Sequence, residues 1–225
     1  MAKKKLIQLP KGYISYSQVV MWDKDRPRYE KIYFDGKDAK FTNSGMDYGK
    51  EVATALEEDE DTGDLLTDAA MLLLPKYDVR DQEIRAELKT KDGAIMVLGK
   101  PDTRDSISWA FREYKTGKAK SWTQRKAEKH VQMKFYAMLV YLASGKVLKE
   151  AWLDWVETEV IKSEMDGFPI QTVVPTGHVE HFRVPLALND ILEMMALTSR
   201  VAKEIEIAWI ARSSGQQSGG LPALT

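Results

Sequence analysis

Apolar positions in the first third of the chain recur every three or four residues, the spacing of helices with one buried stripe. Val19, Val20, Trp22, Tyr29, Tyr33 and Phe34 form such a pattern after Ser17, a candidate N-cap, with Pro27 expected to end or kink the helix and Gly36 to close its second part. A second helix is predicted from Ser44 through Tyr48, Val52, Ala55 and Leu56, broken by the acidic run and Gly63, and a third from Leu65 to Leu74, stopped at Pro75. The period then changes. Val79–Leu88, Ala94–Leu98 and Ile107–Tyr114 read as three strands joined by short turns, including Lys91-Asp92-Gly93. Helical spacing returns over Thr123–Ala143, with Gly145 as C-terminal cap. Ala151–Ile161 and Val179–Val184 suggest two further strands, and Leu188–Ile210 a closing amphipathic helix.

Helices, a three-strand meander, a helix, more strands and a final helix make an α/β chain with a mixed central sheet flanked by helices. The length of 225 residues suits one domain with its own core. That domain is expected over residues 1–212, followed by a flexible Ser-, Gly- and Gln-rich tail over 213–225.

Composition adds little until charge is read locally. Apolar residues make up 44% and charged residues 30%, an ordinary globular balance with a net charge of −1. Between Lys115 and Lys129, however, stand six Lys or Arg residues and a single acid, Glu128, whereas Glu57 to Asp61 is five acids in a row. A nucleic-acid binder needs its basic groups on one face, not a basic total. Cysteine is absent, which excludes disulfides, thiolate zinc sites and cysteine-bound iron–sulfur clusters. No apolar stretch follows Met1-Ala-Lys-Lys-Lys5 at signal-peptide length and none reaches 18 residues, so a cytoplasmic protein outside the membrane is expected.

The candidate chemistry lies in Gly99-Lys-Pro-Asp102 and Glu113-Tyr-Lys115. Carboxylates on neighbouring strands can share a hard cation, which prefers oxygen ligands. Residues two apart on a strand point to the same face, so Lys115 lies beside Glu113 while Tyr114 turns to the core. A cation there would activate water and neutralise charge on a phosphorane, with Lys115 orienting the water or stabilising the growing charge. Each residue also has a plain alternative: Asp102 as a turn aspartate after Pro101, Glu113 and Lys115 as a solvated cross-strand ion pair.

Five motifs taken together resemble the PD-(D/E)XK nuclease superfamily, in its RecB-type branch. Ser15 and Ser17 stand where the opening Ser-x-Ser falls, and Gly49 to Glu57 is similar to the Gly-x-x-x-His helix. Gly99 to Asp102 resembles the Gly-x-x-Asp strand, Glu113-Tyr-Lys-Thr-Gly117 the Asp/Glu-x-Lys-Thr-Gly strand and turn, and Gln132-Met-Lys-Phe-Tyr136 the Gln-x-x-x-Tyr motif. The resemblance runs from Ile14 to about Trp155 and implies a restriction-endonuclease-like fold and a Mg²⁺- or Mn²⁺-dependent deoxyribonuclease. Exonuclease or flap-type action in recombination, repair or phage DNA processing follows from the branch, with recombination or replication proteins as possible partners. Asp102 and Glu113 are then the principal metal ligands, the Tyr114 carbonyl a third, and Lys115 the catalytic cation. The motif histidine is Ala53 here, which cannot coordinate; Glu57, one turn further along the same face, is the preferred replacement.

Gln132 and Tyr136 share a helix face and are expected to hold the DNA strand or support Lys115. Lys118, Lys120 and Arg125 supply phosphate contacts, and Trp122 either stacks on an unpaired base or folds into the core. Trp22, Trp109, Trp152, Trp155 and Trp209 read as core residues, His130 as a surface residue of the basic helix, and His178 and His181 as residues of a late strand away from the acids. The competing reading is a non-catalytic nucleic-acid-binding or scaffold protein on a degenerate nuclease fold, which Ala53 favours.

Overall fold

The computed structural model describes residues 5–37, 43–165 and 168–217. Its helices are α1 (Tyr16–Lys24), α2 (Arg26–Tyr29), α3 (Ser44–Glu58), α4 (Leu65–Met71), α5 (Gln124–Glu128), α6 (Val131–Ser144) and α7 (Leu188–Gln217), with a π turn over Glu30–Phe34. Its strands are β1 (Val79–Arg80), β2 (Ile84–Lys89), β3 (Ala94–Gly99), β4 (Thr103–Arg104), β5 (Phe111–Gly117), β6 (Glu150–Met165) and β7 (Phe168–Pro185). Five of them form a mixed sheet in the order β1-β4-β5-β6-β7, antiparallel except for the β5–β6 pair, while β2 and β3 pair separately. Parallel pairing requires a crossover, and α5 with α6 supplies it.

Alternation along the strands divides the core between the two faces of the large sheet. Phe111, Ala151, Leu153, Trp155, Phe182 and Val184 face α6 and α7 in the main cluster, which also takes in β2 and β3. Val156 and Tyr114 face the other way, against Tyr48, Val52 and Leu56 of α3 and Met71 of α4. The expected mixed sheet with helices on both sides is therefore the observed fold.

Local chemistry sets most element ends. The Asn43 side chain accepts from the Met46 amide to open α3, the Asp64 side chain from the Thr67 amide to open α4, and Gly145 closes α6 in the left-handed region at φ +73°. Ser17 caps nothing: α1 begins at Tyr16, and the Ser15 and Ser17 hydroxyls lie 3.1 Å apart.

Several expected boundaries move. The strand predicted over Val79–Leu88 is two strands in different sheets, separated at Asp81, whose backbone sits at φ +49°. The strand expected from Ile107 begins only at Phe111, because the Asp105 carboxylate gathers the Ile107 and Ser108 amides into a turn, with Trp109 at φ +67°. The helix predicted over Thr123–Ala143 is interrupted at Lys129 and His130, the latter extended as the N-cap residue of α6. The two late strands are the inner parts of one long β6–β7 hairpin whose register shifts between Val156 and Thr158. Past that shift the hairpin leaves the buried core, and its exposed outer arm lacks the alternation that marks a strand. Helix α7 continues to Gln217, so residues 213–217 of the expected tail are helical, and 218–225 lie outside the described residues. Of the tryptophans read as core, Trp22 and Trp155 are buried, while Trp109, Trp152 and Trp209 are half-buried. No helix among the described residues is long and apolar enough to cross a membrane.

Candidate active site

Strand pairing brings the two carboxylates together. Thr103 of β4 lies opposite Arg112 of β5, and the same antiparallel register carried on by one residue sets Asp102 opposite Glu113. The Tyr114 amide donates to Asp102 Oδ2 at 2.6 Å and anchors that carboxylate against β5. Lys115 Nζ meets Glu113 Oε1 at 2.6 Å, as expected for residues two apart on one strand.

Two glycines allow the helices to approach. At Gly99 an added Cβ would lie 2.9 Å from Tyr136 Cε1 and 3.0 Å from Leu139 Cδ2, so α6 closes on the end of β3 only without a side chain there. At Gly49 a Cβ would come within 3.0 Å of Thr116 Oγ1, which lets α3 sit directly on β5. With α6 drawn in, the Gln132 amide donates to Glu113 Oε1 and to the Tyr136 hydroxyl, and Tyr136 donates to the Lys100 carbonyl at 2.9 Å. Both side chains, expected to hold a DNA strand or support Lys115, have partners inside the protein and brace the glutamate and the backbone next to Asp102.

One atom of this cluster stands out. Glu113 is 3% exposed, and its Oε2 is buried with no hydrogen-bond partner among the described residues. A buried, unsatisfied polar atom costs about 1–3 kcal/mol, more when charged. A hard cation would remove that cost, and carboxylate oxygens are the donors such an ion takes.

The electrostatics point the same way. Burial, then the nearby Glu113 carboxylate, pushes Asp102 up to about 8, against the pull of Lys115 and the Tyr114 amide. Burial likewise raises Glu113, opposed by Lys115 and Gln132. Burial disfavours the Lys115 ammonium, but Glu113 and Asp102 outweigh it, so the lysine is held protonated. Two acids competing for charge beside a fixed cation form a cluster short of positive charge.

Asp102, Tyr114, Lys115 and Lys118 line a groove of about 840 Å³ between α3, β5 and the outer β6–β7 arm, and Ala53 lies on its wall. Glu57 pairs with Lys100 Nζ at 2.7 Å, an ammonium that also meets Asp81 at 2.7 Å, and its charge reaches Asp102, adding to the upward push on that carboxyl. Among the described residues no three His, Asp or Glu side chains gather to hold an ion. Tyr114 does not enter the main core. It packs on the smaller cluster and its hydroxyl donates to the Pro75 carbonyl at 2.7 Å. Lys118, Lys120 and Arg125 are exposed. Trp122 packs half-buried against the main core with its ring 4.9 Å from that of His130.

Three partners were not anticipated. Lys100, inside the Gly99–Asp102 motif, links Glu57 and Asp81. Tyr16 of α1 lies within electrostatic reach of Lys115 and Glu113. On the opposite face, fully buried Asp154 takes both Arg112 Nε and Nη2 at 2.7 Å and His181 Nδ1 at 2.6 Å. A lone acid in the apolar run Ala151-Trp-Leu-Asp-Trp-Val156 was its signal, since a buried charge needs a partner. His178 and His181 stand apart from Asp102 and Glu113, His178 beside Glu180.

No family model matches this chain, and neither does any curated protein. Solved structures do. The crystal structure of SSO0001 superposes with a TM-score of 0.51 at 13% identity, over 89% of this chain and 77% of that one. An alkaline exonuclease (LHK-Exo) from Laribacter hongkongensis superposes with a TM-score of 0.50 at 15% identity, over 92% of this chain and 95% of that one. The chain therefore shares its fold, over most of its length, with an exonuclease structure.

Proposed function

We propose that this protein is a divalent-metal-dependent deoxyribonuclease, with Asp102 and Glu113 as the carboxylates that hold Mg²⁺ or Mn²⁺ and Lys115 as the catalytic cation. The observation that carries the reading is Glu113 Oε2, buried and unpartnered beside a second acid and a fixed ammonium. The Tyr114 carbonyl is the third donor we assign. When bound, the cation supplies Lewis acidity and charge neutralisation for phosphodiester hydrolysis.

The protein's own groups do the rest. Tyr114 N–H and Gln132 hold the two carboxylates in place, and Lys115 faces the groove, where its charge meets negative charge growing on the phosphate oxygens. Tyr136 ties α6 to the Lys100 backbone and keeps this geometry rigid. The five motifs that resemble those of RecB-type nucleases, one of them with Ala53 in place of its histidine, support action at DNA ends, by exonuclease or flap-type cleavage, in recombination, repair or phage DNA processing. Incubation with Mn²⁺ and labelled single- and double-stranded DNA tests the proposal: products are expected, and intact DNA across salt and pH overturns it.

Ala53 on the groove wall, and Glu57 held by Lys100, favour a second reading, a nucleic-acid-binding scaffold on a nuclease fold. Calorimetric titration separates the two, since a scaffold takes up no Mn²⁺ at millimolar concentration.

A further inference from the structure

The outer β6–β7 arm carries an apolar surface that the described residues cover only in part: Val173 packs partly against the smaller core cluster, while Val160 stands free of it. Beyond the register shift, Val160 lies directly opposite Val173, and both line the groove with Thr158 and Gln171. Val160 is 51% exposed. Across the groove, Met46 and Val52 of α3 face the same space, and Met46 is 54% exposed. The opposite rim is cationic, with Lys115 and exposed Lys118, and runs on to Asp102. The groove thus has one charged side leading to the candidate active site and one apolar side leading away from it.

We infer that this groove takes single-stranded DNA, with phosphates along the Lys115–Lys118 rim and unpaired bases against the Val160–Val173 arm; the inference rests on the nuclease reading and names the form of its substrate. In a duplex the bases are stacked inside and the phosphates face outward on both strands. A duplex seated here would press one charged backbone against Val160 and Val173, stripping its water with nothing in return. A single strand offers both chemistries at once, a charged edge for the lysines and apolar base faces that lose water against the valine side chains. Charge complementarity on one wall and apolar contact on the other select the same occupant.

The test uses the full chain in EDTA, where binding is read without cleavage, with fluorescently labelled oligo-dT and a blunt duplex of equal length. The wild type should bind the single strand more tightly than the duplex. Val160→Glu should weaken single-strand binding about tenfold, through lost apolar contact with the bases and repulsion between the new carboxylate and the phosphates. Ile161→Glu, on the opposite face of the same strand and 48% exposed, controls for added charge and for folding and should change it less than about twofold. Equal affinity for both DNA forms, or equal effects of the two variants, overturns the inference. So does a wild-type dimer in solution that Val160→Glu dissociates, since a second copy would then occupy the arm. Cleavage of either DNA form with Mn²⁺ alongside those results leaves the nuclease reading standing, so the two can fail separately.

Discussion

Gln132 donates to the same Glu113 oxygen that Lys115 holds, and so leaves the buried Oε2 as the carboxylate's open position. Groups that orient metal-binding carboxylates commonly matter about 10- to 100-fold in metal affinity or activity. Gln132→Ala is therefore expected to weaken Mn²⁺ binding by about that range in a calorimetric titration. An unchanged affinity would remove Gln132 from this role.

Lys115→Ala should lower the cleavage rate about 10²- to 10³-fold, the usual cost of deleting one charge-stabilising group. Oligonucleotide binding should persist, because Lys118 remains on the groove rim. Gel-resolved single-turnover cleavage beside a binding assay reads both quantities. Retained cleavage excludes the lysine from the chemistry.

His130 gives the protein an acid-side stability limit. Burial pushes its imidazole down to about 4, with the charges of Lys115 and Lys24 adding to the shift. Because the folded pKa is depressed, stability is full above the unfolded value of about 6.5 and is lost as pH falls toward 4. Urea midpoints at pH 7 and pH 5 should differ less in His130→Leu than in the wild type. Parallel pH dependence in both proteins would refute this.

Asp154 and Arg112 are both buried, so removing Arg112 strips the Asp154 carboxylate of its two-pronged partner and leaves it His181 alone. Arg112→Met is expected to cost about 3–5 kcal/mol in urea unfolding. The double variant Arg112→Met/Asp154→Leu should recover a large part of that loss. If the double variant is as unstable as the sum of its parts, the ion pair is not the cause.

Gly99→Ala places a methyl group where Tyr136 and Leu139 already stand. Overpacking of this kind typically costs about 1–3 kcal/mol, visible as a lower urea midpoint. Since α6 carries Gln132, Mn²⁺ affinity should fall as well. A variant as stable as the parent would mean that α6 moves aside freely.

Part of the candidate site's geometry was legible because its signals are local. Glu113 and Lys115 share a face by strand geometry alone, and Gln132 and Tyr136 share one by helix geometry. What eluded the sequence was which partner each polar group would choose. Gln132 and Tyr136 were expected to hold the DNA strand or support Lys115, and their protein partners are Glu113 and the Lys100 carbonyl. Glu57 shares the helix face of Ala53, and Lys100, arriving from the β3–β4 turn, is a partner for it that the sequence did not announce.

The sequence by itself determined the order of the main elements, their amphipathic faces, the Gly145 cap, and the set of residues able to do chemistry. These follow from spacing and from side chains acting within a few residues of themselves. Tertiary structure alone decided that Val79–Leu88 divides between two sheets, that β6 and β7 extend into an arm walling a groove, and that Asp154 finds Arg112 and His181. Those outcomes depend on segments distant in the chain meeting in space, where burial and pairing are set jointly. A residue's neighbours along the sequence carry no record of which partner that will be.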